Sequence, residues 1–299
     1  MVEFDKEQLT NYMQAGKINS QALDLGAHLI KKESSMIEVL DKIEAFIKSK
    51  GAIPAFPAQI SLNNIAAHFC PVHEDLIMID GDVVKLDVGV SVNGFIADSA
   101  RTFDLGQNKE LVLASKMALK NALEVVRPNV PIGDIGKAIH ETISSYGFTP
   151  IKNLSGHGLG KFQIHCSPSI PNVITGLKTP LKEGQVIAIE PFATTGAGIV
   201  YEAGAPSVFS LVSEKPLRNQ IARKMMQDLK EYNGLPFTSR WLIPKYGVAA
   251  TQIALKEMMS NGSVYAHPPL LEKGRGIVSQ WEHSVIVLEK PIVYTKHDD

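Results

Sequence analysis

Apolar side chains recur with a helical period near the start of the chain. One apolar face is formed by residues three or four apart, namely Ile37, Leu40, Ile43 and Ile47, with charged residues between them. This spacing predicts an amphipathic helix, and we interpret the first fifty residues as helical. Gly51 ends the helix, and the prolines that follow indicate an extended segment.

The pattern changes between Gly81 and Phe103, where β-favouring residues flank Asn93-Gly94, a dipeptide typical of a two-residue hairpin turn. Helical patterns return in residues 110–126 and 132–146, and glycine-punctuated extended segments follow over residues 155–200. Valine- and isoleucine-rich strands are predicted in residues 276–288 and 292–295. The chain therefore resembles a mixed α/β protein.

A second helical block interrupts these strands. Its first helix has apolar residues four apart, namely Leu217, Ile221, Met225 and Leu229, and Ala249, Ile253, Leu255 and Met258 indicate a second helix. We interpret residues 206–267 as a helical insertion in the α/β core.

Charge and composition narrow the class of protein. The 299 residues include 30 basic and 31 acidic side chains, with a formal net charge of −1 and no long basic block. This balance argues against a nucleic-acid partner. No run approaches the ~20 apolar residues that span a bilayer, and the first residues lack the pattern of a secretion signal. We expect a cytoplasmic protein without a membrane partner, in which Cys70 and Cys166 are free thiols.

Two aspartates in the predicted hairpin are candidates for chemistry. If the turn contains two residues, Gly89 opposes Asp98, and Asp87 lies two residues further along the same face. Such a diagonal pair lies within ~7–8 Å. Two carboxylates in apolar strands repel each other and need a compensating cation. The alternative is that each aspartate caps a turn or pairs with a lysine such as Lys85.

Three further residues extend this donor set. His157 is surrounded by glycines, which allow close approach of backbone and substrate. Glu190 and Glu282 lie in apolar β runs, where an unpartnered carboxylate is costly to bury. Alone, the histidine could belong to an incidental loop and each acid to an edge strand. Together with the hairpin they provide four carboxylates and one imidazole.

Because carboxylates bridge, this donor set can hold two divalent ions roughly 3.5–4 Å apart. An oxygen-rich shell without thiolates favours manganese, iron(II), cobalt or zinc over a structural zinc, and spacing does not choose among them. The sequence has no His-Glu-x-x-His helix, no Gly-x-Ser-x-Gly elbow and no phosphate-binding loop.

The local sequences around these residues resemble the metal ligands of the methionine aminopeptidases and their pita-bread relatives. The matching segments are Leu-Asp87-Val-Gly, Ala-Asp98-Ser-Ala, Gly-His157-Gly-Leu-Gly, Ile-Glu190-Pro-Phe-Ala and Gln-Trp-Glu282-His. Residues 55–68 resemble the family segment that ends in a catalytic histidine, here His68. The helical block between Glu190 and Glu282 resembles the insertion of the type 2 enzymes in their compact archaeal form. The resemblance covers about residues 25–288.

This resemblance implies an α/β (α+β) pita-bread fold, in which helices cover a pseudo-symmetric, curved, mostly antiparallel sheet. It implies a catalytic domain of residues 1–205 and 268–299 and a helical insertion subdomain of residues 206–267. We expect a monomer.

The implied activity is metal-dependent removal of the initiator methionine, with a preference for a small second residue. Asp87 would bind one ion, Asp98 and Glu282 would bridge both, and His157 and Glu190 would complete the second. A metal-bridging hydroxide would attack the scissile carbonyl, and Glu190 would transfer the proton. The partners would be peptides with an N-terminal methionine, nascent chains and the ribosome.

The resemblance also implies substrate contacts. His165 would contact the substrate amide and stabilise the developing oxyanion, and His68 would assist at the scissile bond. For His68, a purely structural role is the alternative. Phe56 and Ile164 would line the methionine pocket. His267 stands where the family often has tyrosine, so fine specificity is left open.

Two other functions share parts of this pattern. Proline dipeptidases and aminopeptidase P have a similar series of five ligands, but they usually have a separate N-terminal domain, whereas the first ligand here is already at Asp87. A non-enzymatic binding protein of the same fold would have lost metal ligands, and all five are present.

Overall fold

The computed structural model describes residues 5–72 and 75–296. The helices are α1 (Lys6–Leu29), α2 (Met36–Ser49), α3 (Lys109–Val125), α4 (Ile132–Ser145), α5 (Gln220–Leu229), α6 (Ser239–Tyr246) and α7 (Val248–Ser260). The strands are β1 (Ile53–Pro54), β2 (Gln59–Leu62), β3 (Ile65–Ala67), β4 (Val83–Val92), β5 (Phe95–Asp104), β6 (Thr149–Pro150), β7 (Ser155–Gly160), β8 (Gln163–Pro171), β9 (Val186–Ile189), β10 (Phe192–Thr194), β11 (Val200–Glu202), β12 (Val208–Leu211), β13 (Phe237–Thr238), β14 (Val264–His267), β15 (Leu270–Glu272), β16 (Val278–Gln280), β17 (His283–Ile286) and β18 (Ile292–Val293). Among these residues, every helix is too short or too polar to span a bilayer.

The N-terminal region forms two helices, so the prediction of helix throughout the first fifty residues was wrong between Leu29 and Met36. Ser35 has an extended backbone, and its side chain accepts a hydrogen bond from the N–H of Glu38. This N-cap starts α2 as a separate helix. Residues 1–4, which were also predicted to be helical, lie outside the described residues.

The β4–β5 hairpin has the predicted register. Val92 opposes Phe95 and Gly89 opposes Asp98. Asn93 and Gly94 have φ values of 54° and 88°, as the favoured two-residue hairpin turn requires. Since side chains alternate between faces, Asp87 and Asp98 lie on the same face of the hairpin.

Two sheets form the centre of the molecule. One pairs β4 with β1, β2 and β5, and the other has the strand order β18-β17-β9-β7-β8. The first packs against α1 and α2 in one hydrophobic cluster, and the second packs against α3 and α4 in another. All strand pairs among the described residues are antiparallel. The prediction of a mostly antiparallel sheet covered by helices is confirmed.

Helices α5, α6 and α7 pack with β12, β13 and β14 around a third cluster that includes Met225, Phe237 and Met258. The predicted apolar stripes are only partly buried, because Ile221 is 38% exposed and Ile253 is 59% exposed. Each helix therefore buries a narrower face than its sequence predicted. The division into residues 206–267 and the rest of the chain stays a prediction.

Candidate metal centre and substrate cavity

The ten residues singled out from the sequence line one cavity of about 220 Å³. They are Phe56, His68, Asp87, Asp98, His157, Ile164, His165, Glu190, His267 and Glu282. The hairpin β4–β5, strands β7, β8 and β14, and the segments that follow β1, β3, β9 and β16 supply them. Residues distant in sequence therefore converge on one site.

The donor atoms converge most closely at three side chains. One ligand atom from each of Asp98, His157 and Glu282 can be chosen so that all three lie within 4.8 Å of one another. His157 Nε2 also lies 3.8 Å from Glu190 Oε1. Asp87 lies outside the group of three but faces the same cavity. This arrangement supplies oxygen and imidazole donors to a common space.

Burial and mutual repulsion disfavour the charged form of these acids. Burial raises the pKa of Asp87 to about 7. Burial first, and then the charges of neighbouring acids, raise the pKa values of Asp98, Glu190 and Glu282 well above their usual range. Buried Oδ1 atoms of Asp87 and Asp98 have no hydrogen-bond partner among the described residues. A divalent cation would satisfy these oxygens and neutralise the repulsion, so the residues fit a metal site.

Two residues that the sequence analysis missed hold the acids in place. Ser284 Oγ accepts from the Asp98 N–H at 2.9 Å and donates to the Asp98 carbonyl at 2.7 Å. Gln280 Nε2 donates to Glu190 Oε2 at 3.4 Å. Both lie two residues from Glu282, the spacing that places side chains on one face of an extended chain. The two-residue spacing from Glu282 could therefore have indicated in the sequence that Gln280 and Ser284 lie beside the acids.

His68 has a left-handed backbone with φ of 62°. Its N–H donates to Gln59 Oε1 at 2.8 Å, and Gln59 also lines the cavity. This bond holds a conformation that is uncommon outside glycine. The ring centroids of His68 and His267 are 5.8 Å apart, and the Oγ of Ser210 lies 2.9 Å from His267 Nε2.

The cavity histidines are neutral at pH 7. Burial, followed by neighbouring histidines, lowers the pKa of His68 to about 4 and that of His157 to about 3. Burial and then His267 lower the pKa of His165 to about 4. A neutral imidazole can bind a metal through one nitrogen or donate a hydrogen bond from the other.

An apolar wall completes the cavity. Phe56 and Ile164 are buried there, as are Phe192 and part of Leu270. A Cβ at position 89 would lie 2.2 Å from the Phe56 ring, so Gly89 makes room for that ring. Phe192 and Leu270 were not predictable as cavity residues, because apolar residues in strands have the same sequence pattern whether they face a core or a cavity.

Comparison with known proteins adds a family to this geometry. The model of metallopeptidase family M24 matches residues 10–289. The chain belongs to metallopeptidase family M24. M24 membership agrees with the acid and histidine donors, since a metallopeptidase uses a bound metal.

Relatives share most of the chain's length. A methionine aminopeptidase of Archaeoglobus fulgidus is 46% identical over 285 residues, which cover 95% of this chain and 96% of the relative. A methionine aminopeptidase of Thermococcus onnurineus is 43% identical over 279 residues, with 92% and 95% covered.

Solved structures share the M24 pita-bread fold. A methionine aminopeptidase from Thermotoga maritima has a TM-score of 0.72 at 22% identity, covering 99% of this chain and 100% of that one. A thermophilic Arx1 has a TM-score of 0.86 at 14% identity, with 98% and 91% covered. A prolidase from Pyrococcus furiosus has a TM-score of 0.64 at 21% identity, with 99% and 65% covered. At these identities the likeness concerns the fold alone.

Proposed function

We propose that this M24 chain is a methionine aminopeptidase that removes the N-terminal methionine from peptides and nascent proteins. The observation that carries the proposal is the convergence of four acids, neutral histidines and an apolar wall on one cavity of about 220 Å³. That volume suits one amino-acid side chain and its amide better than a long peptide. The names of relatives at 46% and 43% identity support the same activity.

Two divalent ions, of manganese, iron(II), cobalt or zinc, are the proposed cofactors. Asp87, Asp98, His157, Glu190 and Glu282 would hold them. When bound, such ions polarise a carbonyl oxygen and acidify water at neutral pH. The protein supplies four carboxylates, whose charge the ions would neutralise, and one imidazole that is already unprotonated at pH 7.

Glu190 is the proposed proton carrier. Its Oε1 lies 3.8 Å from His157 Nε2 in the cavity, where bound cations would keep the carboxylate ionised and able to accept a proton. The hydrogen bond from Gln280 fixes one of its oxygens. Glu190 would accept the proton of the attacking water and return it to the departing amine.

His165 and His68 are the proposed groups at the scissile amide. Both imidazoles are neutral at pH 7 and therefore each has one N–H to donate. His165 would donate to the oxyanion that develops on the carbonyl. His68, fixed by the Gln59 bond, would assist at the scissile bond.

The methionine side chain would lie against Phe56 and Ile164. Phe192 and Leu270 extend this surface, which suits an unbranched thioether. The ring of His267 lies 5.8 Å from that of His68 in the cavity and would influence the residue after methionine. Residues 206–267 would form an insertion subdomain that supplies Val208, Pro236 and His267 to the cavity. The proposed setting is a cytoplasmic monomer that acts on chains at the ribosome.

A peptide panel tests the proposal. Metal-stripped protein is incubated with Met-Ala-Ser, Met-Lys-Ser, Leu-Ala-Ser and the dipeptides Met-Pro and Ala-Pro, with and without each of the four metals, and products are identified by mass spectrometry. We expect metal-dependent loss of methionine from Met-Ala-Ser, with Met-Lys-Ser, Leu-Ala-Ser and Ala-Pro left intact.

Each other outcome points to a different function. Cleavage of Ala-Pro in preference to Met-Ala-Ser would identify a proline peptidase of the same fold. Binding of metal without cleavage of any peptide would indicate a binding protein. His165→Ala is the control for residual contaminating peptidase, since it removes a proposed catalytic group and leaves the five ligands intact.

A further inference from the structure

A second and larger cavity, of about 470 Å³, lies between helix α3 and the edge of the sheet at β17 and β18. Its apolar surface includes Leu119 and Leu123 of α3 and Val293 of β18. It shares no lining residue with the catalytic cavity. This second cavity is therefore a separate space that the proposed peptidase reaction does not use.

The charge around the second cavity is mainly positive. Four basic side chains line it, namely Lys116 and Lys120 of α3, Arg127 and Lys296. Glu124 is its one acidic lining residue among those described. Cations gathered at a cavity with apolar walls raise the local concentration of anions. The apolar walls in turn favour a ligand that carries hydrocarbon as well as charge.

A buried donor lies in the wall of the second cavity. Trp281 is 4% exposed, and its Nε1 has no hydrogen-bond partner among the described residues. An indole N–H can only donate, so it calls for an acceptor. Lys116 Nζ lies 4.7 Å from the centroid of the Trp281 ring, which brings a cation beside this donor.

We propose that the second cavity binds a small organic anion, in which a carboxylate or phosphate group is attached to an apolar chain. The anionic oxygens would accept from Trp281 Nε1 and lie among Lys116, Lys120 and Arg127. The apolar chain would pack against Leu119, Leu123 and Val293. Trp281 and His283 both line this cavity and are the chain neighbours of Glu282, so the site adjoins a proposed metal ligand.

Isothermal titration calorimetry on the metal-loaded full chain tests the proposal. The probes are octanoate and octyl phosphate, with 1-octanol as the uncharged match and inorganic phosphate as the anion without a chain. We expect both octyl anions to bind and both controls to bind at least about tenfold more weakly, because each lacks half of the recognition. The tighter of the two octyl anions identifies the preferred head group.

Variants locate the binding. The double substitution Lys120→Gln and Arg127→Gln should weaken octyl-anion binding about tenfold. Lys109→Gln, on the same helix but outside the second cavity, is the matched control and should leave it unchanged. Trp281→Phe should weaken binding about fivefold through the lost donor.

Three results would overturn the proposal. One is equal binding of 1-octanol and octanoate, and another is the absence of binding by either anion. The third is unchanged anion binding in the double variant, which would place the anion outside the second cavity. None of these results bears on cleavage of Met-Ala-Ser, so the peptidase proposal stands or fails separately.

Discussion

Two regions of this protein hold buried carboxylates and neutralise them differently. The anchor network consists of Asp41 and Glu44 of α2 with Arg240 and Trp241 of α6. Glu44 Oε1 accepts from Arg240 Nη2 at 2.6 Å, and its Oε2 accepts from Trp241 Nε1 at 2.7 Å. Arg240 also pairs with Asp41. Here the chain itself provides the cation.

At the metal centre the chain provides none. Among the described residues, no lysine or arginine forms an ion pair with the four acids Asp87, Asp98, Glu190 and Glu282. The one basic side chain at ion-pair distance is His157, which lies close to Asp98 and Glu190. The anchor network is complete when the chain folds, whereas the metal centre is complete only when cations arrive from solution. The buried charge therefore attaches α6 to α2 in the anchor network, whereas at the metal centre it binds metal ions.

Removing the built-in cation should have the largest effect. In Arg240→Met the Glu44 carboxylate stays buried without its partner, so we expect the free energy of unfolding to fall by about 3–5 kcal/mol. Urea denaturation followed by circular dichroism measures this. The double variant Glu44→Gln and Arg240→Met should recover part of the loss, since it removes both charges. Equal stability of Arg240→Met and wild type would refute this account of the network.

Removing one acid at the metal centre should have the opposite effect on the metal-free fold. Asp98→Asn relieves repulsion, so we expect a higher melting temperature in chelator-treated protein. The same variant should lose more than about 100-fold in kcat/KM on Met-Ala-Ser. Even residues that only hold a metal ligand in place change metal affinity or activity by up to about 100-fold when they are mutated. Glu289→Gln, at an exposed acid in the bend before β18, is the control and should change neither quantity.

The pH dependence of metal-free protein sharpens the contrast. The folded pKa of Asp87 is about 7, against about 3.9 in an unfolded chain. Its stabilising contribution is therefore fully present below pH ~4 and is lost as pH rises towards 7, at up to about 1.4 kcal/mol per unit. We expect wild type to lose stability relative to Asp87→Asn over this range. A flat difference between the two chelator-treated proteins would contradict the shift.

The smallest effect is expected at His267, which lines the catalytic cavity. Ser210→Ala removes the partner of His267 Nε2. The loss of one hydrogen bond, about 1 kcal/mol, should lower kcat/KM for methionyl peptides about fivefold. Metal content, measured by atomic absorption, should stay the same. Ser213→Ala, whose hydroxyl bonds to Gly262 at the surface of the insertion, is the matched control.

Local chemistry made part of this molecule predictable. The Asn93-Gly94 turn determines the register of the hairpin, and that register places Asp87 and Asp98 on one face. The break before α2 was also visible, because Ser35 and Glu38 have the spacing of a capping box. The apolar period is the stronger pattern in this region and predicts a single helix.

Contacts between distant segments were not predictable. Arg240 and Glu44 are 196 positions apart, and nothing in either local sequence selects the other. The exposure of Ile221 and Ile253 likewise depends on how the insertion helices meet their neighbours. Resemblance to a family indicated the ligand set, but it could not indicate which cation neutralises the buried Glu44 of α2.

The two ends of residues 206–267 meet, because Val208 pairs with His267 across β12 and β14. A segment with adjacent ends is a cassette, which could be excised and the gap closed by a short peptide. The cassette nevertheless carries Arg240, on which Glu44 of the host depends. Excision would leave the chain path intact but would leave the buried Glu44 without its cation. A shortened protein without residues 206–267 would therefore need a neutral residue at position 44.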